Sequence, residues 1–168
     1  MALGLAHGKV VLVEGNPEWD RLYRAEEQQL RSVIGDMALD IQHIGSTAIA
    51  GIKAKPIIDI LVGLARFEDG VLLVGPLQRL GYDYVGTQMV PNDHLFGKGT
   101  ARTHLLHAVV HGGYHWRRNL QFRDRLRVEP ELALAYEQLK IELAARFPDD
   151  RAGYTAAKAA FIDPVADV

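Results

Sequence analysis

Cysteine is absent from the 168 residues, which excludes a disulfide framework, a thiolate nucleophile and any Cys-ligated zinc site. Long apolar runs are absent too: no stretch approaches the roughly 18 residues of a membrane span. The opening residues 1–8 lack both a basic start and an extended apolar segment. The expectation is a soluble, untargeted protein of the cytoplasm that makes no membrane contact. Net charge is small, at −2, so the chain as a whole has no strong attraction for nucleic acid or an anionic surface. Linkers, internal repeats and low-complexity tracts are also missing. The length suits a single domain over residues 1–168, large enough to bury about 70% of its extended surface.

Within that small total the charge is uneven. Residues 17–40 hold six acidic side chains against three arginines, whereas residues 98–128 hold seven Lys or Arg against Asp124 alone. Gathered on one face, the second block is an anion site; spread round a helix, it is a solvated surface. Its aromatic neighbours, Tyr114 and Trp116, are too few to indicate nucleic-acid recognition.

Residues 9–14, β-branched and closed by Gly15-Asn16-Pro17, predict an opening strand. Asn16 as N-cap and Pro17 as first helical residue start a helix. Its Trp19, Leu22, Tyr23, Leu30, Val33 and Ile34 share a face, Glu26, Glu27, Gln28 and Gln29 fill the polar remainder, and Gly35 ends it. Strands are predicted over 39–44 and 57–62, separated by a small-residue turn and short helix at 45–51. A loop at 65–69 leads to a helix over 70–80, interrupted near Pro76, and then to extended structure at 82–85. Pro91-Asn92-Asp93 marks a turn. A hairpin joins 94–96 to 102–111 through Gly97-Lys98-Gly99-Thr100. Three helices follow. The first spans 114–128; the second is opened by Pro130, with Leu132, Tyr136, Leu139, Leu143 and Phe147 as its stripe; the third is capped by Asp149 or Asp150 and runs to about 162, before Pro164. This order predicts an α/β domain, a mixed sheet with helices packed on it.

The chemistry concentrates between residues 42 and 62. In a strand, Ile57, Asp59, Leu61 and Gly63 face one way and Ile58, Ile60 and Val62 the other, the second set being a core face. A lone carboxylate among apolar neighbours is costly to bury unless paired, hydrogen-bonded or metal-bound. Asp59 is therefore either a structural acceptor for a backbone N–H or an arginine, or part of a covered pocket. Gly45-Ser46, after the preceding strand, can aim backbone N–H groups and a hydroxyl at a phosphate.

Gly45-Ser46, a spacer of twelve residues and a strand-borne Asp59 resemble the nucleotidyltransferase superfamily. The longer match takes in residues 14–30, His43-Ile44-Gly45-Ser46-Thr47-Ala48-Ile49, Gly51, Ala54-Lys55-Pro56-Ile57-Ile58-Asp59-Ile60 and Arg102-Thr103-His104-Leu105. It continues through Phe122-Arg123-Asp124, Leu126-Arg127, Tyr136, Leu139-Lys140, Tyr154-Thr155 and Ala157-Lys158. Together these resemble the GrpB-like family, a branch of that superfamily, over about residues 10–162.

The resemblance implies a nucleotidyltransferase-like mixed sheet flanked by helices, with a three-helix C-terminal part. It implies a nucleotide or other phosphate-containing small molecule as partner, Asp59 as the catalytic, Mg²⁺-binding carboxylate, and Gly45 and Ser46 as phosphate contacts. Lys55, Arg102 and Arg123 are the candidate counter-charges. Two-metal chemistry asks for a second carboxylate two residues on and a third on a neighbouring strand. The second position is Leu61, which coordinates nothing, and Asp83 or Asp93 is left to supply a ligand. Two readings stand: a phosphate-ligand-binding protein that performs metal-dependent nucleotidyl transfer, and a non-catalytic ligand-sensing or protein-interaction module that retains the fold.

The seven histidines open a third. His43 is either a satisfied core imidazole or a pocket-wall ligand. His104 and His107, three apart, point to opposite faces of a strand; His104 is placed beside Asp59 because Arg102 shares its parity. A Zn²⁺ or Mn²⁺ site from His43, Asp59 and His104 would make a metal-dependent hydrolase. Gly97-Lys98-Gly99 lacks the full phosphate-loop pattern, and Arg123 and Arg127 share a helix face.

Overall fold

The structure, a computed structural model, describes residues 2–167. Its strands are β1 (Asp40–Ile44), β2 (Ile58–Leu64), β3 (Tyr82–Gly86), β4 (His94–Lys98) and β5 (His104–Val110). They form one mixed sheet in the order β1-β2-β5-β4-β3. The central β2–β5 pair is parallel and the pairs β1–β2, β5–β4 and β4–β3 are antiparallel. The helices are α1 (Glu18–Ile34), α2 (Val74–Gln78), α3 (Tyr114–Val128), α4 (Pro130–Arg146) and α5 (Arg151–Ala166).

Strand alternation sorts the helices into two layers. Ile58, Ile60 and Val62 of β2, with Phe96, Leu106 and Ala108, pack against Trp19, Tyr23, Leu30 and Ile34 of α1 and Leu77 of α2. Fully burying each large apolar side chain contributes about 1.5–3 kcal/mol, so this face carries the main core. On the other face Leu61 packs with Ile44, Val109 and Trp116. A second cluster there joins Ile49 and Ile52 to Leu126, Ala133, Tyr136 and Val165 of the C-terminal helices. Asp59 shares the Leu61 face, as the strand parity predicts.

Several expectations change. Residues 9–14 form no strand of the sheet; the segment makes single bridges, Leu5 to Arg102 and Val13 to Ala54, and Val10 N–H bonds the Pro148 carbonyl 2.9 Å away. It straps the sheet to the helical layer, which its β-branched composition could not reveal. Glu26, expected on the polar side of α1, is buried, bonded at 2.8 Å by both the Tyr82 hydroxyl and Lys98 Nζ. Lys98 is thereby spent on a structural ion pair. The break before α2 falls where a 3₁₀ stretch, Phe67–Leu73, gives way to α-helix. Pro76 lies in the first turn of α2, where an N–H has no intrahelical acceptor. Asp150 rather than Asp149 caps α5, accepting from Gly153 N–H at 2.9 Å. That helix passes through Pro164 and buries Val165 and Ala166; in a final turn the proline removes little hydrogen bonding. Among the described residues no helix is long and apolar enough to cross a membrane.

Candidate functional site

Pairing of β1 with β2 sets Ile44 opposite Asp59, so the chain leaves the sheet at Gly45 directly beside the carboxylate. Gly45 has φ +73°, a region that disfavours side chains. A methyl group on it would also lie 3.0 Å from Asp59 Cβ and Cγ, and closer still to Oδ2. Glycine is demanded twice, by backbone conformation and by the neighbour. The short 3₁₀ turn Ser46–Ala48 follows, and the Arg127 guanidinium braces it, donating from Nε to the Ala48 carbonyl at 3.0 Å.

Between this turn, the β2–β5 face and the helices α3, α4 and α5 lies a cavity of about 310 Å³. Its wall includes Gly45, Ser46, Lys55, Asp59, His107, Tyr136, Lys140, Arg151, Tyr154 and Lys158, and Asp59 is its one carboxylate among the described residues. Lys55 and Lys158 place their ammonium groups 5.1 and 4.6 Å from the centre of the Tyr154 ring, and Lys140 lies 5.0 Å from that of Tyr136. Lys140 also donates to the Lys53 carbonyl. Burial raises the proton affinity of Tyr136, which Ser46 alongside pulls back down, and the buried Tyr154 hydroxyl has no partner among the described residues.

Crowding these groups together changes their proton affinity. Burial lowers Lys55 to about 8, with Lys158 adding to the effect and Asp59 opposing it. Burial likewise lowers Lys158 to about 8 and, with help from Lys158, Lys140 to about 7. Asp59 is pushed up by burial, although His107, Lys55, Lys158 and Arg151 all pull the other way.

Four of the residues singled out in the sequence meet here: Gly45, Ser46, Lys55 and Asp59. The others lie elsewhere. His43 pairs in register with Ile60 and so faces the main core; it stacks on Tyr23 at 4.5 Å and shares a 2.9 Å hydrogen bond between Nε2 and Thr47 Oγ1. Burial, with Arg127 nearby, lowers it to about 4. His104 is opposite Ile58 in the β2–β5 register, on the α1 face, with Nε2 3.8 Å from Glu26. Shared parity with Arg102 predicts His104 beside Asp59; the register puts His107 there instead. Arg102 precedes β5; its guanidinium covers Gly97 and donates to Asp83 at 3.3 Å and to the Gly99 carbonyl at 3.2 Å. Arg123 is buried and ties α3 to β1, donating to Gln42 Oε1 at 2.7 Å and the His43 carbonyl at 3.0 Å.

Lys140, Arg151 and Lys158 carry no site role in the sequence reading, and His107 is the member of the His104/His107 pair that it sets aside. A signal existed for two of them: Lys140 sits between Tyr136 and Leu143 on the buried stripe of α4, and Lys158 is one turn beyond the buried Tyr154. A lysine on an apolar stripe points either to a buried ion pair or to a site.

The donor set does not fit a magnesium centre. Leu61 is fully buried beneath Trp116, and the partners of Asp59 in the cavity are cations. Asp83 is engaged by Arg102, and Asp93 holds His107, its Oδ2 2.6 Å from Nδ1. Among the described residues no group of three His, Asp or Glu is arranged to hold a metal ion.

Comparison with known proteins places this architecture. Residues 9–167 match the family described as GrpB protein. The glutamate-rich protein GrpB of Alkalihalophilus pseudofirmus is 38% identical, over 97% of each chain. YqkA of Bacillus subtilis is 35% identical over 89% of this chain, which spans 44% of that relative's length. The crystal structure of the conserved protein GrpB from Enterococcus faecalis superposes with a TM-score of 0.85 at 34% identity, covering 94% of this chain and 95% of that one. A mixed sheet flanked by helices with three C-terminal helices is thus the architecture the two share, and the chain belongs to the GrpB protein family.

Proposed function

We propose that the cavity beside Asp59 binds a small phosphorylated molecule, a nucleotide or a related phosphate ester. The observation that carries this reading is the convergence of Lys55, Lys140, Lys158 and Arg151 on a cavity with a single carboxylate. Lys140 is buried and Lys55, Lys158 and Arg151 are half-buried; cations drawn out of water in this way are retained where an anion completes them. The unpartnered Tyr154 hydroxyl adds a donor without an acceptor, which a phosphate oxygen would satisfy. Ile44, Ile57, Leu105, Phe122 and Ile162 also line the wall and suit the less polar part of such a ligand; Arg118, a further cation there, is held by Asp163 and Asp167. The volume of about 310 Å³ lies at the low end of the range of roughly 300–1,000 Å³ for small-molecule sites.

In this reading the Gly45-Ser46 turn and the ammonium groups hold phosphate directly, and no step runs through paired metal ions. Leu61 packed under Trp116 favours a second reading, a ligand sensor that binds without turnover. Thermal unfolding against a panel of nucleotides, sugar phosphates and pyrophosphate tests binding itself. A ligand at a hundredfold excess over its Kd stabilises by about 2.7 kcal/mol, and Lys55→Met with Lys158→Met should abolish the shift. A panel with no stabilising member, or a shift indifferent to both lysines, would refute the reading.

A further inference from the structure

We infer that His107 is the proton-transfer group of this cavity, and that the site moves a phosphoryl or nucleotidyl group from a bound phosphoanhydride to a hydroxyl, water included. The inference rests on the phosphate-binding reading and extends it from binding to chemistry.

Its basis is the placement of three side chains. His107 projects from β5 on the same face as Asp59, in register with Leu61 of the adjacent parallel strand, and its ring lines the cavity. Behind it, Asp93 Oδ2 accepts from Nδ1 at 2.6 Å. Asp93 is buried and its other oxygen has no partner among the described residues, so the carboxylate spends its charge on the imidazole. An acceptor on Nδ1 fixes the ring and leaves Nε2 as the nitrogen able to take a proton. Asp59, across the cavity wall, favours the charged ring as well. Burial alone would lower the proton affinity of His107, but the bond and charge of Asp93, with Asp59 behind them, hold it above the ordinary imidazole value.

The step balances with these groups. The acceptor hydroxyl gives its proton to His107 Nε2 as its oxygen forms the new bond to phosphorus. The bond from phosphorus to the bridging oxygen breaks, and its electron pair stays on the departing phosphate or pyrophosphate. Lys55, Lys140 and Lys158 meet the charge that collects there, and the imidazolium rests between Asp93 and Asp59. In the absence of an acceptor alcohol, water takes its place and the outcome is slow hydrolysis. His107 is the catalytic residue in this scheme and Asp93 a positioning residue.

The test uses phosphorus NMR of the full chain with the four common ribonucleoside triphosphates and with tripolyphosphate, each in excess EDTA, beside calorimetric binding of pyrophosphate. The expected result is phosphate or pyrophosphate release that survives EDTA, rises with pH through a midpoint above the ordinary imidazole value, and falls at least about a hundredfold in His107→Gln while pyrophosphate still binds. Asp93→Asn should move the midpoint down, because the charged ring loses its counter-ion; this arm decides the matter if His107→Gln does not fold. Release that requires added Mg²⁺, a rate and pH limb unchanged in both variants, or binding with no release from any anhydride would overturn the inference and leave the binding reading standing. Failure of the wild-type chain to bind pyrophosphate or any triphosphate would remove the reading beneath it.

Discussion

Gly45 and Asp59 are in van der Waals register: the carboxylate sits where a side chain on residue 45 would be, its Cβ and Cγ 3.0 Å from that position. The pairing of Ile44 with Asp59 brings them together, and the positive φ of Gly45 turns Ser46 onto the cavity wall. Gly45→Ala should therefore destabilise the fold by about 2–4 kcal/mol, summing backbone strain and overpacking. In an Asp59→Ala background the contacts with Cγ and Oδ2 are gone while the one with Cβ stays, and the penalty should be smaller. Equal penalties in both backgrounds, measured by denaturant unfolding, would show that the two residues do not collide.

Anion affinity should fall as pH rises. An amine is charged below its pKa; Lys140 at about 7 and Lys55 and Lys158 at about 8 therefore lose charge across the neutral range, and the empty cavity becomes less positive. Trimetaphosphate, fully ionised throughout, isolates the protein's contribution. Calorimetry should show its affinity declining between about pH 6.5 and about pH 9, with proton uptake on binding. Lys158→Met should flatten the decline, and a flat profile in the wild type would contradict it.

The same lysine should be a burden to the empty protein. Lys158 binds its proton less readily folded than unfolded, at about 8 against 10.5 for a free lysine side chain, so its charge opposes folding below the folded value. That opposition fades as pH climbs towards the unfolded one. Lys158→Met should raise stability at neutral pH by about 0.5–2 kcal/mol, lose that gain in strong alkali, and bind anions poorly. A destabilised variant at neutral pH would count against a vacant, uncompensated cation.

Arg123 should behave as a structural residue. Replacing it by Met leaves Gln42 Oε1 and the His43 carbonyl without their donor, at a cost of about 2–3 kcal/mol. Anion affinity of the folded variant should stay near that of the wild type. Selective loss of affinity without loss of stability would return Arg123 to the site.

Much of the fold was legible because alternation and helical spacing are local properties. Trp19, Tyr23, Leu30 and Ile34 repeat at helical intervals, and Asp59 falls on the parity opposite Ile58 and Ile60. The GrpB-like resemblance marked Gly45, Ser46 and Asp59 together. What failed depended on registers that no spacing contains. His104 was preferred over His107 by carrying Arg102 into the strand, whereas the alignment of Asp59 with Leu105 fixes the faces and Arg102 precedes the strand altogether. Arg123 and Arg127 do share a face, yet that face meets β1 and the 3₁₀ turn rather than the cavity. Glu26 and Lys98, far apart in sequence, could be recognised as a buried pair only once α1 lay across β4.

The most direct measurement is a crystal structure of the protein soaked with pyrophosphate in EDTA. The account predicts a bound anion against Ser46, Lys55 and Lys158, beside the Asp59 carboxylate and within reach of Tyr154. Pyrophosphate bound instead at Arg102 or on the exposed arginines of α3, with the Asp59 cavity holding only water, would contradict it.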